Sequence, residues 1–247
     1  GAKISGVKAD KGYLGHKAAK MMKRAKSIEK RQQAALAAKS KLLKNLESSD
    51  SLKLSQLAYH KSRLVELENV SIFYGTKTAC RNISFTIEQG DRIALLGKNG
   101  SGKSSILKLI CGEDISHTGN LRIGSQLKIS YVAQDTSQLE GNLSDYAARY
   151  GVDESLFKAI LRKLDFSRAQ FEKDMSAFSA GQKKKVLIAR SLCEKAHLHI
   201  WDEPLNYIDV ISRIQIEELL LKYTPTILFV EHDSEFCKNI ATKVIEL

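Results

Sequence analysis

Apolar residues along this chain come in short clusters separated by Gly, Asn, Asp and charged residues, and the clusters switch between two periods. From Leu64, VELENVSIFYG and RNISFTIEQ each carry the β-branched and aromatic residues of a strand followed by turn residues. RIALLG is a continuous apolar run that predicts a buried strand, and SSILKLI after it predicts a helix reaching Leu109. LRIG and KISYVAQ predict two further short strands. Residues from about Leu143 to Lys173 are mostly helical in pattern, since LSDYAARY and ESLFKAILRKL place apolar residues at i, i+3 and i+4. GQKKKVLIARSL predicts another helix, and HLHIWDEP a buried strand ending in two acids. ISRIQIEELLLKY then reads as a helix, TILFVEHD as a strand, and a short helix and the strand TKVIEL close the chain. Such alternation, with one helical insertion, predicts an α/β fold whose mostly parallel sheet is joined by crossover helices.

The first sixty residues follow a different rule. Gly1, Gly6, Gly12 and Gly15 interrupt a stretch with little periodicity, which reads as flexible. From about Lys17 to Glu47 there is no Gly or Pro, and good helix formers dominate. Met21, Ala25, Ile28, Gln32, Ala35, Lys39, Leu42 and Leu46 follow a 4-3-4-3 spacing, the pattern of a coiled-coil seam. That seam needs a partner, either another chain or a helix upstream of Gly1. Lys20, Lys23, Arg24, Lys30, Arg31 and Lys41 occupy the opposite face, which fits either a solvated surface or contact with RNA or DNA phosphates. SSDSLKLSQ, from Ser48, ends the helix and reads as a linker.

Charge sharpens this division. The net charge is +11, yet residues 1–60 hold 14 Lys/Arg against 4 Asp/Glu while the remainder hold 25 against 24. A nearly neutral domain therefore carries a strongly basic arm, an asymmetry that suggests a polyanionic partner. A chain of 247 residues can bury one substantial core with something left over. No apolar run approaches the ~18 residues of a membrane span, and no apolar segment follows the basic start as in a secretory signal. Cys80, Cys111, Cys193 and Cys237 are scattered, which argues for buried thiols in a reducing cytosol rather than disulfides or a zinc site.

The chemistry centres on GKNGSGKSS, between RIALLG and SSILKLI. Gly97, Gly102, Lys103 and Ser104 fit the phosphate-cradling pattern G-x-x-x-x-G-K-[ST], with Asn99, Gly100, Ser101 and Ser105 completing the expected cradle. Glycines let consecutive backbone N–H groups converge on an anion at a helix N-terminus. Lys103 would reach the β- and γ-phosphates, and the Ser104 hydroxyl would hold Mg²⁺. Asp202 ends a strand where a carboxylate can hold Mg²⁺, and Glu203 follows it, positioned to polarise an attacking water. His232, after the next strand, fits a contact to the γ-phosphate or the water, and equally a plain surface histidine. His197 and His199 share one strand face without a third ligand, and read as packing residues.

FSAGQKKKVLIARSL adds Ser179, Ala180, Gly181 and Gln182 at a second helix start. With it, about residues 64–247 resemble an ABC-type ATPase domain. The motifs, in the family's order, are Walker A (Gly97–Ser104), Q-loop (Gln134), signature (Phe178–Gln182), Walker B (Ile200–Glu203), D-loop (Asn206–Asp209) and switch histidine (His232). The resemblance implies the P-loop NTPase fold of ABC type: a mostly parallel sheet core, antiparallel strands and a helical subdomain. Tyr74 matches the aromatic that stacks on adenine. Lys103, Ser104, Gln134, Asp202, Glu203 and His232 would serve one Mg·ATP, with Gln134 as a further metal ligand. Ser179, Gly181 and Gln182 would complete the site of a second ABC domain. Phe178 and Ala180 replace the usual Leu and Gly of the signature, and Leu205 and Tyr207 depart from the usual D-loop.

The whole chain resembles the C-terminal half of an ABC-F protein, with residues 1–60 as a basic helical interdomain linker and 61–247 as the ATP-binding domain. DEPLNYIDV, FSAGQKKK and the Lys-rich helix are most similar to members that protect ribosomes from antibiotics. That implies a cytoplasmic ATPase and no membrane partner. Its second ABC domain would belong to the same full-length protein or to another copy of this chain. The basic linker would reach ribosomal RNA and tRNA. The alternatives are the ATPase subunit of a membrane transporter and a nucleotide-dependent scaffold without catalysis. Without an opposing signature, this chain alone is expected to bind ATP and hydrolyse it weakly.

Overall fold

Parallel pairing in register is what brings distant loops of this chain together, and a computed structural model shows how. It describes Leu52, Leu54 and residues 56–247. The segment 1–15 and the long helix expected over Lys17 to Glu47 lie outside the described residues. In chain order the first elements are β1 (Arg63–Tyr74), β2 (Lys77–Glu88), β3 (Arg92–Leu96), α1 (Lys103–Ile110), β4 (His117–Ile123) and β5 (Ile129–Val132). The helical insertion follows as α2 (Leu143–Arg149), α3 (Glu154–Lys163) and α4 (Arg168–Phe171). Then come α5 (Ala180–Cys193), β6 (Leu198–Asp202), α6 (Val210–Tyr223), β7 (Ile227–Val230), α7 (Ser234–Ile240) and β8 (Lys243–Glu246).

Two sheets result. One is antiparallel, in the order β2-β1-β4, and the other parallel, in the order β5-β6-β7-β3-β8. β2 and β4 each begin four residues before the runs RNISFTIEQ and LRIG that were expected to form them. The extensions are strand because β1 pairs with them, Phe73 opposite Thr78 and Ile72 opposite His117. Cross-strand pairing, which periodicity does not report, sets those ends.

The central parallel strands β3, β6 and β7 are short and buried on both faces, as their unbroken apolar runs require. Ile93, Leu95, Leu198, Ile200, Leu228 and Val230 join α1 and the antiparallel sheet in one core. Ala94, Trp201, Ile227 and Phe229 alternate with them and join the helices on the other face. Phe178 belongs to that second core, edge-on to Phe166 with ring centres 5.5 Å apart, while Ala180 is exposed at the start of α5. The aromatic residue in the signature therefore fills core volume, and the extra methyl of Ala180 meets solvent.

Leu52 and Leu54 pack against the helical core, and Tyr223 Oη donates to the Leu52 carbonyl at 2.6 Å. Tyr59 is buried, its backbone N–H donating to Gln89 Oε1 at 2.7 Å and its hydroxyl to the Ser125 carbonyl at 2.9 Å. The described end of the expected linker is thus laid along this unit, since its Leu and Tyr side chains cover apolar surface.

Behind the parallel sheet, Trp201 Nε1 donates to Ser191 Oγ at 2.9 Å, and that hydroxyl lies 3.1 Å from His199 Nδ1. Ser130 bonds the same Ser191 oxygen at 2.8 Å and also donates to Glu194. Burial, helped by the nearby Arg190 charge, pushes His199 down to about 4 from its usual 6.5. The folded chain keeps this imidazole neutral while the unfolded chain protonates it. The unfolded state therefore binds the extra proton between those values, and stability falls as pH drops through that window. We expect unfolding free energy to lose about 3 kcal/mol from pH 6.5 to 4 through this group. Denaturant melts of the wild type and His199→Gln check it: parallel pH dependences would contradict the assignment.

Candidate active site

Register places the site. Val132 pairs with Trp201, Asp202 with Val230, and Ala94 with Phe229, so β3, β5, β6 and β7 all end at one level. Gly97, Gln134, Glu203 and His232 emerge there from four separate chain segments, the usual place for a ligand crevice in a parallel sheet. A cleft of about 640 Å³ opens between them, walled by Tyr74, Asn99, Gly100, Gly102 to Ser105, Gln134, Glu203 and His232. Within the loop Gly97 and Lys98 do not line it, and neither does Ser101. Its hydroxyl is turned inward against Gly97 and does not line the cleft. Ser179, Gly181 and Gln182 do not line it either.

α1 is built to receive an anion. Asn142, Asp153, Ser179, Asp209 and Asp233 cap α2, α3, α5, α6 and α7 with side-chain oxygens, whereas α1 starts at Gly102 with no side-chain cap. Its first N–H groups are left for another acceptor. Gly102 has φ +90°, and a Cβ there would lie 2.8 Å from the Ala79 carbonyl oxygen, so both backbone shape and packing require glycine. Lys103, buried to 7% exposure, donates through Nζ to the carbonyls of Gly97 at 2.8 Å and Lys98 at 2.9 Å. Tyr74 is half exposed at the rim, and its hydroxyl donates to Ser105 Oγ at 3.2 Å.

Opposite the loop lie two carboxylates of unlike character. Asp202 is fully buried, and its Oδ1 has no hydrogen-bond partner among the described residues. Burial pushes its carboxyl up, with Ser104 opposing that shift. A buried, unpartnered carboxylate oxygen beside a hydroxyl is the donor set that a hard dication takes, so Ser104 and Asp202 fit Mg²⁺. Glu203 has φ +47°, a left-handed conformation that costs a side-chain-bearing residue about 1–3 kcal/mol. Its backbone N–H donates to the Val230 carbonyl at 3.0 Å. Its Oε2 accepts from Gln134 Nε2 at 2.8 Å and from Asn206 Nδ2 at 2.5 Å, and His232 Nε2 lies 3.3 Å from Oε1. Three side chains from three loops fix this carboxylate at the mouth of the cleft, as a general base requires. With Nε2 committed to Glu203, Gln134 keeps its amide oxygen for a ligand.

Sequence reasoning missed the supports beneath these groups. Lys184, inside the KKK run, is 1% exposed and donates to the carbonyls of Ala133 at 2.8 Å, Gln134 at 3.1 Å and Asp202 at 3.4 Å. Burial pulls its ammonium down, opposed by Asp202, Glu203, Glu231 and Asp135. Lys185 pairs with Asp209 at 2.7 Å, so two of the three lysines face inward, against what a charge run implies. Lys77 and Asn206 also line the cleft. At the start of α5, Ser179 and Gln182 cap each other, Ser179 N–H to Gln182 Oε1 at 2.9 Å and Gln182 N–H to Ser179 Oγ at 3.2 Å. A Cβ on Gly181 would fall 2.4 Å from the Tyr207 carbonyl oxygen, so the signature helix and the D-loop touch backbone to backbone.

Lys184→Met should leave three carbonyls without their donor and cost about 3 kcal/mol in a denaturant melt. An unchanged midpoint would show that the ammonium holds nothing. Gly181→Ala should destabilise by about 1–3 kcal/mol through its clash with Tyr207, and Ala180→Gly by less.

Comparison with known proteins bears on what this geometry is for. A family model described as ABC transporter matches residues 80–206. The ATP-binding protein Uup of Buchnera aphidicola subsp. Schizaphis graminum is 30% identical over 210 residues, 81% of this chain and 35% of that protein. The ribosome protection protein VmlR of Bacillus subtilis is 31% identical over 188 residues, 73% of this chain and 34% of that protein. This chain thus spans about a third of the length of the curated relatives it matches. The dimeric structure of MJ0796, a bacterial ABC transporter cassette, superposes with a TM-score of 0.65 at 21% identity, over 74% of this chain and 94% of that one, which establishes a shared fold. With its phosphate loop, its paired carboxylates and its helical insertion in the order of that family, the chain belongs to the ABC transporter family as an ATP-binding domain.

Proposed function

We propose that this chain is the ATP-binding and ATP-hydrolysing half of an ABC-F protein that engages the ribosome when ATP is bound and protects translation from ribosome-targeting antibiotics. The observation that carries the enzymatic part is the convergence of Lys103, Gln134, Glu203 and His232 on one cleft, with Asp202 buried beside Ser104 in its wall. The ribosomal part rests on the basic arm of residues 1–60 and on the likeness to VmlR, a ribosome protection protein.

In this reading Tyr74 stacks on the adenine, and the N–H groups at the start of α1 take the phosphates with Lys103. Ser104 and Asp202 would hold Mg²⁺, with the Gln134 amide oxygen as a further ligand, and the ion would supply charge neutralisation to the phosphates. Glu203, aimed by Gln134 and Asn206, takes the proton of the attacking water, and His232 holds the γ-phosphate or that water. Ser179, Gly181 and Gln182, away from this cleft, complete the site of a second ABC domain, in the same full-length protein or in another copy of this chain. ATP favours the closed pair and hydrolysis releases it, so the nucleotide acts by differential affinity for two arrangements. The arm then meets ribosomal RNA and tRNA in the cytoplasm.

A second reading, the ATPase subunit of a membrane transporter, is favoured by the likeness to a transporter cassette. It requires co-purification with a membrane protein and gives the basic arm no task. Glu203→Gln in the full-length protein distinguishes the two. Phosphate release should fall about a hundredfold or more, and the variant should co-sediment with ribosomes in ATP. Absence from the ribosome pellet would sink the ribosomal reading.

A further inference from the structure

Two side chains outside the nucleotide cleft span the gap between the turn after β6 and the turn after β7. Glu231 is 5% exposed, and each of its carboxylate oxygens takes one backbone N–H: Oε2 from Leu205 at 3.0 Å and Oε1 from His232 at 2.8 Å. Arg213, on α6, donates through Nη2 to the Leu205 carbonyl at 3.3 Å and through Nε to the Ile208 carbonyl at 3.1 Å. Its remaining fork nitrogen, Nη1, donates to Asp233 Oδ2 at 3.0 Å. Leu205 is therefore held at both its N–H and its C=O, and each holder has its other end on residues 231–233.

The turn after β6 is also gripped from α5. The Tyr207 carbonyl abuts Gly181, and Asp209 pairs with Lys185. His232, on the far side of the bridge, faces Glu203 at 3.3 Å. A continuous chain of backbone and charged contacts thus runs from the start of α5, through the D-loop, to the histidine beside the general base.

We propose that Glu231 and Arg213 clamp the turn 205–208 to the turn 231–233, so that a displacement of the D-loop carries His232 toward or away from Glu203. Both are positioning residues. A buried carboxylate with one N–H on each oxygen has no spare partner, and freeing either end leaves a buried charge under-satisfied. The guanidinium fork fixes direction as well as distance. The two turns consequently shift together and not separately. The consequence for catalysis rests on the ATP-hydrolysis reading above, whereas the clamp itself does not.

Amide hydrogen exchange on the 247-residue chain without nucleotide tests it. Leu205 and His232 donate to one carboxylate, so their protection factors should agree within about threefold. Glu231→Gln can accept only one of the two N–H groups. A clamp then loses protection at both amides, by about tenfold or more, while β3 and α1 keep wild-type values. Arg213→Lys, a point charge unable to hold three acceptors, should give the same pattern, and it serves if the first variant does not fold. Unequal protection in the wild type, loss at one amide only, no loss, or an equal fall across β3 and α1 would each overturn the clamp. In the full-length protein with Mg·ATP, Glu231→Gln should keep ATP affinity within about threefold while phosphate release at saturation drops about tenfold; equal losses in both overturn the positioning role. A wild-type chain that binds no ATP would refute the nucleotide reading and leave exchange to decide the clamp.

Discussion

The register of the parallel sheet is the constraint on which the site depends. Because the carboxyl ends of β5, β6, β7 and β3 fall within two residues of one another in register, four loops far apart in sequence leave the sheet on one edge. A shift of one residue in any strand would exchange the residues facing the two cores and move its loop by about 3 Å. The cores on both sides of the sheet resist that shift, since Ile93, Leu228 and Ile200 face one and Ala94, Phe229 and Trp201 the other. The geometry of the cleft is thus inherited from packing. The loops need only supply the right groups at the ends of strands already fixed.

Under those loops lies a layer of charge, buried at Lys184 and Glu231 and partly exposed at Arg213, that apolar packing alone would not require. Lys184 holds three carbonyls, Glu231 two N–H groups, and Arg213 two carbonyls and a carboxylate. Burying such groups is costly, and removing one partner is costlier still. What they contribute is a single arrangement of the backbone around Gln134, Asp202, Leu205 and His232. The strained left-handed Glu203 sits at the centre of that arrangement, consistent with strain held in place by its surroundings at a functional site.

Much of this was legible in the sequence, and the remainder was hidden for definable reasons. Gly97 to Ser104 and Asp202–Glu203 announce themselves because phosphate and metal chemistry need particular residue types at fixed local spacing. The strands and helices follow from local periodicity, although β2 and β4 start earlier than their patterns because β1 recruits the extra residues. Lys184 was concealed in a run of three lysines that normally signals solvent, and only the packing around α5 turns it inward. Glu231 and Arg213 were concealed because, Asp233 apart, their partners are backbone atoms up to 26 residues away, which no side-chain motif encodes. Ser101 fits the phosphate-loop pattern yet turns its hydroxyl away from the cleft, since the pattern constrains the backbone there and not the side chain.

The central claim is that this cleft binds Mg·ATP through Lys103 and the Ser104–Asp202 pair. Trp201, the sole tryptophan, is fully buried and adjoins Asp202, which makes it an internal reporter for that event. Titration of the chain with ATP, followed through Trp201 fluorescence, should give a saturable change that requires Mg²⁺ and is lost in Lys103→Ala. A change indifferent to both Mg²⁺ and Lys103, or no binding to the folded wild-type chain, would contradict the account.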